Sequence, residues 1–322
     1  MFVLEGSLIK NTTIDLDVSK IISICNDSGI SNITDVLPYT KGYGHLCWYI
    51  KTRTNKSYLF KVNIRNSSKQ KFNNEIYSLQ FALKKGIHVP GIYSRGELEN
   101  ETFKYYYIQE WVRGEDASSY LKKVDHTEKQ HFFFNFGSEV ANLHSIEGTY
   151  FSEDIIGTNK YKSIKELSKL RLDRTIDFLL STTILPKALL LEIEQKINKK
   201  ILQLPGEILP CFTHGDLHLG NIIVTEEDKL FFIDFESSKF YDPILDFFKL
   251  DLWVFQEYSN YYDDFIKGYN QNRNLGNLYE ERFSLYKSIE YIYCINYFGN
   301  LYRDEKMLKQ FIDLLVKWNN EN

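Results

Sequence analysis

His214-Gly215-Asp216-Leu217-His218-Leu219-Gly220-Asn221, followed downstream by Ile233-Asp234-Phe235-Glu236, is the stretch on which the reading of this chain turns. Asp216 and Asn221 stand five residues apart, and Asp234 lies thirteen past Asn221 at the end of the apolar run Leu230-Phe231-Phe232-Ile233. Between them, 222–225 and 230–233 flank Glu226-Glu227-Asp228 and read as a β-hairpin. Two carboxylates and an amide on loops held by one hairpin are well placed to converge on one point. Singly, each has a plain explanation as a turn or strand-end cap, because Asp and Asn readily hydrogen-bond nearby backbone. The joint spacing makes that explanation weaker for all three.

Phosphoryl transfer from a nucleotide needs a carboxylate to receive or orient the acceptor's proton, and oxygen donors to hold Mg²⁺. Kinases arrange these as H-R-D-x-x-x-x-N followed by D-F-G, and Asp216, Asn221 and Asp234 keep that order, with the same step from Asp to Asn. Asp216 is therefore the candidate catalytic residue. A loose transition state asks little base strength of it. Asn221 offers a neutral oxygen and Asp234 a charged one, a donor set suited to Mg²⁺. His214 reads as support for the loop. His218 is equally explicable as a surface residue or as a contact to phosphate or substrate.

Working outward, Lys61 lies in Tyr58-Leu59-Phe60-Lys61-Val62, where strand alternation puts Leu59, Lys61 and Asn63 on one face. A lysine among apolar neighbours needs an anion. Glu75, on the helix expected over 72–85, is its candidate partner, in a pair that aims the ammonium at phosphate oxygens. The plain alternative is a solvent-facing strand lysine and helix glutamate. Gly42 and Gly44 sit in a turn between the first two strands, where backbone N–H groups can approach phosphates, although a simple β-turn explains two glycines equally well. Glu110-Trp111-Val112 marks the junction of two textures, and Glu110 and Val112 are the candidate backbone contacts to a purine edge.

The texture before that junction is strands at 35–40, 46–52, 57–63, 91–95 and 105–110 with one helix, preceded by a loosely helical 16–28. After it the chain is mostly helical. The expected organisation is a nucleotide-binding lobe over 1–112, with an N-terminal helical extension 1–34, and a catalytic and substrate-binding lobe over 113–322. At 322 residues and 43 % hydrophobic the chain can bury a sizeable core, and its 23 Tyr and 23 Phe are read first as core packing. A net charge of −4 favours neither nucleic acid nor an anionic membrane as partner, and no run approaches the ~18 apolar residues of a membrane span. Residues 241–322 carry 13 acidic against 9 basic side chains, the whole excess. Cys25, Cys47, Cys211 and Cys294 are scattered without ligand spacing, which predicts free thiols in a reducing compartment. The expectation is a soluble, cytoplasmic protein.

Together these residues resemble the aminoglycoside phosphotransferase and choline kinase family, the small-molecule branch of the protein-kinase-like fold. The loop 214–221 is similar to that family's H-G-D-L-H-x-x-N, and Asp234-Phe235-Glu236 to its I-D-F/W-E/G metal segment. Leu143-His144 resembles the L-H that closes a helix before the catalytic lobe. Asp242-Pro243 with Asp246 resembles D-P-x-x-D, whose last Asp braces the catalytic loop. Leu219 stands where many members have Pro, Glu236 replaces the Gly of D-F-G, and the glycine loop is degenerate.

The resemblance implies an α+β, two-lobed kinase-like fold with a small antiparallel-sheet N-lobe and a mainly helical C-lobe. It also implies ATP or GTP as donor, Mg²⁺, and a small-molecule hydroxyl as acceptor. Helices at 251–269 and 291–303 would line the acceptor pocket. Glu236, Asp251, Glu257 and Asp263 would suit an amine-bearing acceptor, first an aminoglycoside or related cationic antibiotic, in which case the chain would confer resistance. A choline- or ethanolamine-like amino alcohol is the alternative within the class. The bland reading of these acids is the wet face of a helix with an aromatic core stripe. A catalytically silent kinase-fold binding protein is the rival from another class, and the intact Lys61, Asp216, Asn221 and Asp234 argue against it.

Overall fold

The computed structural model describes residues 16–39, 45–63, 69–98 and 105–322. Gly42 and Gly44 lie outside the described residues. The chain divides into two compact units, one made of residues up to Ala117 together with Ile222–Glu236, the other of Ser118–Asn221 together with Ser237–Asn322.

In the first unit, α1 (Val18–Asp27) starts on Asp17, whose carboxylate accepts the Ser19 N–H. It is followed by β1 (Ile33–Tyr39), β2 (His45–Thr52), β3 (Ser57–Asn63), α2 (Lys69–Lys84), β4 (Ile92–Glu97), β5 (Tyr105–Glu110) and the two-residue β6 (Glu115–Asp116). The strands β1 to β5 form an antiparallel sheet in the order β1-β2-β3-β5-β4. Alternation along β3 sends Tyr58, Phe60 and Val62 into a core with Trp48, Ile50 and Ile108, closed by Ile21 and Cys25 of α1. The helix expected near the N-terminus is thus one wall of this core. The same alternation turns Lys61 to the opposite face, where α2 supplies Glu75.

The chain continues through α3 (Ala117–Tyr120), α4 (His126–His144), β7 (Phe151–Ser152), β8 (Lys160–Tyr161), α5 (Ile164–Leu180), α6 (Lys187–Gln203) and β9 (Cys211–Thr213). A reciprocal cap between Asp125 and Glu128 starts α4. The expected hairpin follows as β10 (Ile222–Val224) and β11 (Leu230–Phe232). It groups with the first unit, and not with the lobe 113–322 in which it was expected. Two contacts explain this: β10 pairs with β6, and the Phe232 N–H donates to the His88 carbonyl.

The second unit resumes with β12 (Lys239–Tyr241), antiparallel to β9, then α7 (Ile244–Trp253), α8 (Tyr262–Asn272), α9 (Tyr279–Asn296) and α10 (Glu305–Glu321). Helices α4 and α8 pack backbone to backbone. A Cβ on Gly137 or on Gly268 would sit 1.9 Å from the carbonyl oxygen of Phe265 or Phe134, so only glycine fits at either. The helix expected over 251–269 is interrupted. α7 ends at Trp253, and Phe255 turns back to pack against Phe133, Tyr262 and Phe265. Burial of that ring outweighs continuing the helix. The helix expected over 291–303 also differs, because α9 passes at Tyr297–Leu301 into a wider π-helical turn. Among the largest fully buried side chains are Phe133, Phe136, Phe247, Tyr241, Tyr269 and Tyr286, the core use expected of so aromatic a chain.

Candidate active site

Three charged groups meet in the first unit. Lys61 Nζ is 3.0 Å from Glu75 Oε1 and 4.0 Å from Asp234 Oδ1. The Tyr107 hydroxyl also donates to Glu75, and the Lys61 ammonium lies 5.2 Å from the Tyr107 ring centroid. Burial by itself would lower the lysine's pKa; Glu75, Tyr107 and Asp234 outweigh it and hold it well above the usual value. Lys61 is therefore a fixed cation. One residue before Glu75, Asn74 donates through Nδ2 to the Glu236 carbonyl at 3.1 Å, so α2 also holds the segment that follows Asp234. Asp234 itself adopts φ of +67°, a left-handed conformation that costs on the order of 1 kcal/mol and is retained where the surroundings fix it.

The loop 214–221 belongs to the second unit up to Asn221, and Asp246 of α7 braces it. Its two carboxylate oxygens accept the His214 and Gly215 N–H groups, each at 2.7 Å, while His144 Nε2 lies 3.0 Å from Oδ2. Burial alone would raise the Asp246 pKa, but these hydrogen bonds keep it below the usual value. Gly215 has φ of +79°, and a Cβ there would stand 2.2 Å from the Ser237 carbonyl oxygen, so the bend demands glycine. Across the loop, Asn221 donates through Nδ2 to the Asp216 carbonyl at 2.8 Å. Spending the amide nitrogen in this way leaves the Asn221 Oδ1 as the atom of that amide that can act as a donor to a metal. A neutral amide oxygen and the carboxylate of Asp234 are hard donors of the kind Mg²⁺ takes, so this chemistry fits that ion.

Asp216 has a partner that the sequence reading missed. Lys249 Nζ lies 3.1 Å from Asp216 Oδ1, and His218 Nε2 lies 3.9 Å from Oδ2. Burial pushes the Asp216 carboxyl up, but Lys249, with a smaller contribution from His218, brings its pKa down to about 2. The signal was present: Lys249 follows Asp246 by three residues, one helical turn along the same face of α7. Around Glu290 of α9 a second ionic group gathers, with Arg171 Nη2 at 2.6 Å and Lys239 and Lys249 also acting on its charge.

The other expected site residues are more dispersed. Asp251 is half-buried, its carboxyl raised by burial, with Lys287 3.8 Å away. Glu257 and Asp263 are exposed, and the Glu236 carbonyl is engaged by Asn74. At the junction, the Glu110 and Trp111 N–H groups donate to the Gly91 and Ser57 carbonyls, which fixes the strand end just before Val112. All four cysteines are buried free thiols, and burial pushes Cys47 and Cys294 up to about 12. Among the described residues no helix is long and apolar enough to cross a membrane.

The fold has many solved counterparts. The streptomycin–ATP complex of the aminoglycoside phosphotransferase APH(2'')-IIa aligns with a TM-score of 0.66 at 19 % identity, over 94 % of this chain and 97 % of that one. A protein of Haemophilus somnus 129PT provisionally named fructosamine-3-kinase aligns at 0.65 and 20 % identity, over 94 % and 96 %. At such identities the likeness establishes a kinase-like fold. Among curated proteins, an uncharacterised Staphylococcus aureus protein encoded in the ileS 3' region is 35 % identical over 74 residues, and the match spans 23 % of this chain and 55 % of that protein. The family model of the phosphotransferase enzyme family, APH, matches residues 35–281. With most of its length inside that match, the chain belongs to the phosphotransferase enzyme (APH) family.

Proposed function

We propose that this protein transfers the γ-phosphoryl group of ATP or GTP to a hydroxyl of a small molecule. The observation that carries the reading is Lys61, a buried permanent cation set between Glu75 and the Asp234 carboxylate. In this reading Lys61 grips phosphate oxygens and Glu75 orients it. Asp216, ionised at any working pH, accepts the hydrogen bond of the acceptor hydroxyl and takes up its proton as the new P–O bond forms. Asn221 and Asp234 would hold Mg²⁺, which when bound neutralises charge on the phosphate oxygens. Asp246 keeps the loop 214–216 in shape through its two backbone contacts. Glu110 and Val112 are assigned to the purine edge.

An amine-bearing acceptor is supported by the streptomycin, kanamycin and gentamicin complexes of the structural relatives. The chemistry itself is tested by Asp216→Asn, which keeps size and hydrogen bonding but removes the carboxylate. Acceptor-dependent nucleotide consumption should fall about 10²- to 10⁴-fold with nucleotide affinity held within about twofold. Unchanged turnover would remove Asp216 from the reaction.

A further inference from the structure

We infer that His218 receives the acceptor: its Nε2–H donates to the oxygen of the hydroxyl whose proton passes to Asp216 Oδ2. The inference rests on the phosphotransferase reading, in which Asp216 meets the acceptor and His218 has no assigned part. The two oxygens of the Asp216 carboxylate stand in different surroundings. Oδ1 is 3.1 Å from the Lys249 ammonium of α7, whereas Oδ2 faces the His218 ring, with Nε2 at 3.9 Å. The backbone beneath is held too, because Asn221 Nδ2 donates to the Asp216 carbonyl at 2.8 Å. With Oδ1 engaged and the backbone fixed, Oδ2 is the oxygen that meets a hydroxyl, on the side where His218 stands.

The orientation of the ring is fixed by its other nitrogen. The Gly220 N–H donates to His218 Nδ1 at 3.1 Å. A ring nitrogen that accepts carries no proton, so the neutral imidazole bears its proton on Nε2, the atom on the Oδ2 side. Gly220 also leaves the ring its place, since a Cβ there would stand 3.0 Å from Cε1 and 3.1 Å from Nδ1. At 3.9 Å, Nε2 and Oδ2 are too far apart to hydrogen-bond each other. Two hydrogen bonds of about 2.8 Å that meet on one oxygen set their far atoms roughly 4–4.6 Å apart, close to that separation. A hydroxyl satisfies both: its O–H donates to Oδ2, one lone pair accepts from Nε2–H, and the other lone pair is left for phosphorus. As the O–P bond forms, the hydroxyl proton passes to Oδ2 and His218 keeps its own. The bond from the γ-phosphorus to the bridging oxygen breaks, and its electron pair leaves with the nucleoside diphosphate. In a loose transition state the acceptor oxygen has changed little, so the His218 contact is about as strong before transfer as during it and acts on acceptor affinity. The plain alternative is a ring that only closes the turn onto Gly220.

Two substitutions separate these roles. In His218→Asn the side-chain oxygen can still accept the Gly220 N–H, but nothing replaces Nε2; in His218→Gln the amide N–H reaches the Nε2 position, but the acceptor at Nδ1 is lost. Both chains should melt like the parent, because the ring is 33 % exposed. The test uses the full chain with Mg²⁺ and ATP or GTP and reads nucleotide consumption, first with water as the acceptor and then with kanamycin, choline or glycerol added. His218→Asn should consume nucleotide about tenfold more slowly than the parent with water, and His218→Gln should stay within about twofold. With an added compound that stimulates the parent, the loss in His218→Asn should lie in its KM, raised about tenfold, with kcat changed less than about twofold. Parent-like turnover by His218→Asn, or a loss in His218→Gln that equals or exceeds that in His218→Asn, overturns the inference and leaves the turn onto Gly220 as the role of the ring. A parent that consumes no nucleotide with water or with any of the three compounds overturns the phosphotransferase reading, and the inference with it.

Discussion

Two lysine–carboxylate pairs of nearly equal length, one in each unit, differ in access to water. Lys61 and Glu75 meet at 3.0 Å with side chains 10 % and 1 % exposed, whereas Lys249 and Asp216 meet at 3.1 Å with side chains 28 % and 34 % exposed. In the sealed pair the Tyr107 hydroxyl also donates to Glu75. Neither charge can be left alone there, because water cannot replace the lost partner. The open pair is different in kind. Water can reach Asp216 and replace the ammonium, so this contact sets the carboxylate's ionisation more than it supports the fold. The first unit thus holds its cation permanently, while the second holds its carboxylate in a contact that can open.

The sharpest way to break this contrast is to remove one partner from each pair. Lys61→Met or Glu75→Gln should each cost about 3–5 kcal/mol in urea unfolding, since each removes the nearest partner of a buried charge. The double replacement should recover most of that stability while leaving nucleotide affinity low. If the single variants unfold like the parent, the pair is not sealed. Lys249→Met should cost no more than about 1 kcal/mol, as expected of a pair about a third exposed.

The effect of Lys249→Met lies instead in the pH profile. With the carboxyl at about 2, the parent should show no acid limb from Asp216 in kcat/KM above about pH 4. Removing the cation leaves burial as the main influence, and burial raises the pKa. The limb should then move up into the range of about pH 4–6, with activity lost as pH falls through it. An unshifted profile would show that Lys249 does not govern Asp216.

How far the sequence discloses all this depends on the range of the interaction. The strands at 57–63 and 105–110 coincide with β3 and β5, because alternation over seven and six residues is a strong local signal. Lys61 with Glu75, and Asp216 with Asn221, were legible for a similar reason, since each lies within one strand–helix or loop unit. The three-residue β9 and β12 carry too few residues to show a period and exist through the long-range pairing of Thr213 with Lys239. Arg171 and Glu290 meet only because α5 and α9 pack together, and no spacing announces that. The break after Trp253 has no Gly or Pro to mark it; the gain in burying Phe255 decides it. Sequence displays charge, but which charges have a partner, as Asp251 has in Lys287 at 3.8 Å, appears only in the fold.

Calorimetric titration of ATP, with and without Mg²⁺, into the full chain and into Asp234→Ala tests the central claim most directly. The account predicts Mg²⁺-dependent binding by the parent, weakened at least about tenfold by the substitution, with both chains binding alike when Mg²⁺ is withheld. Absence of nucleotide binding, or one affinity for both chains in the presence of Mg²⁺, would contradict it.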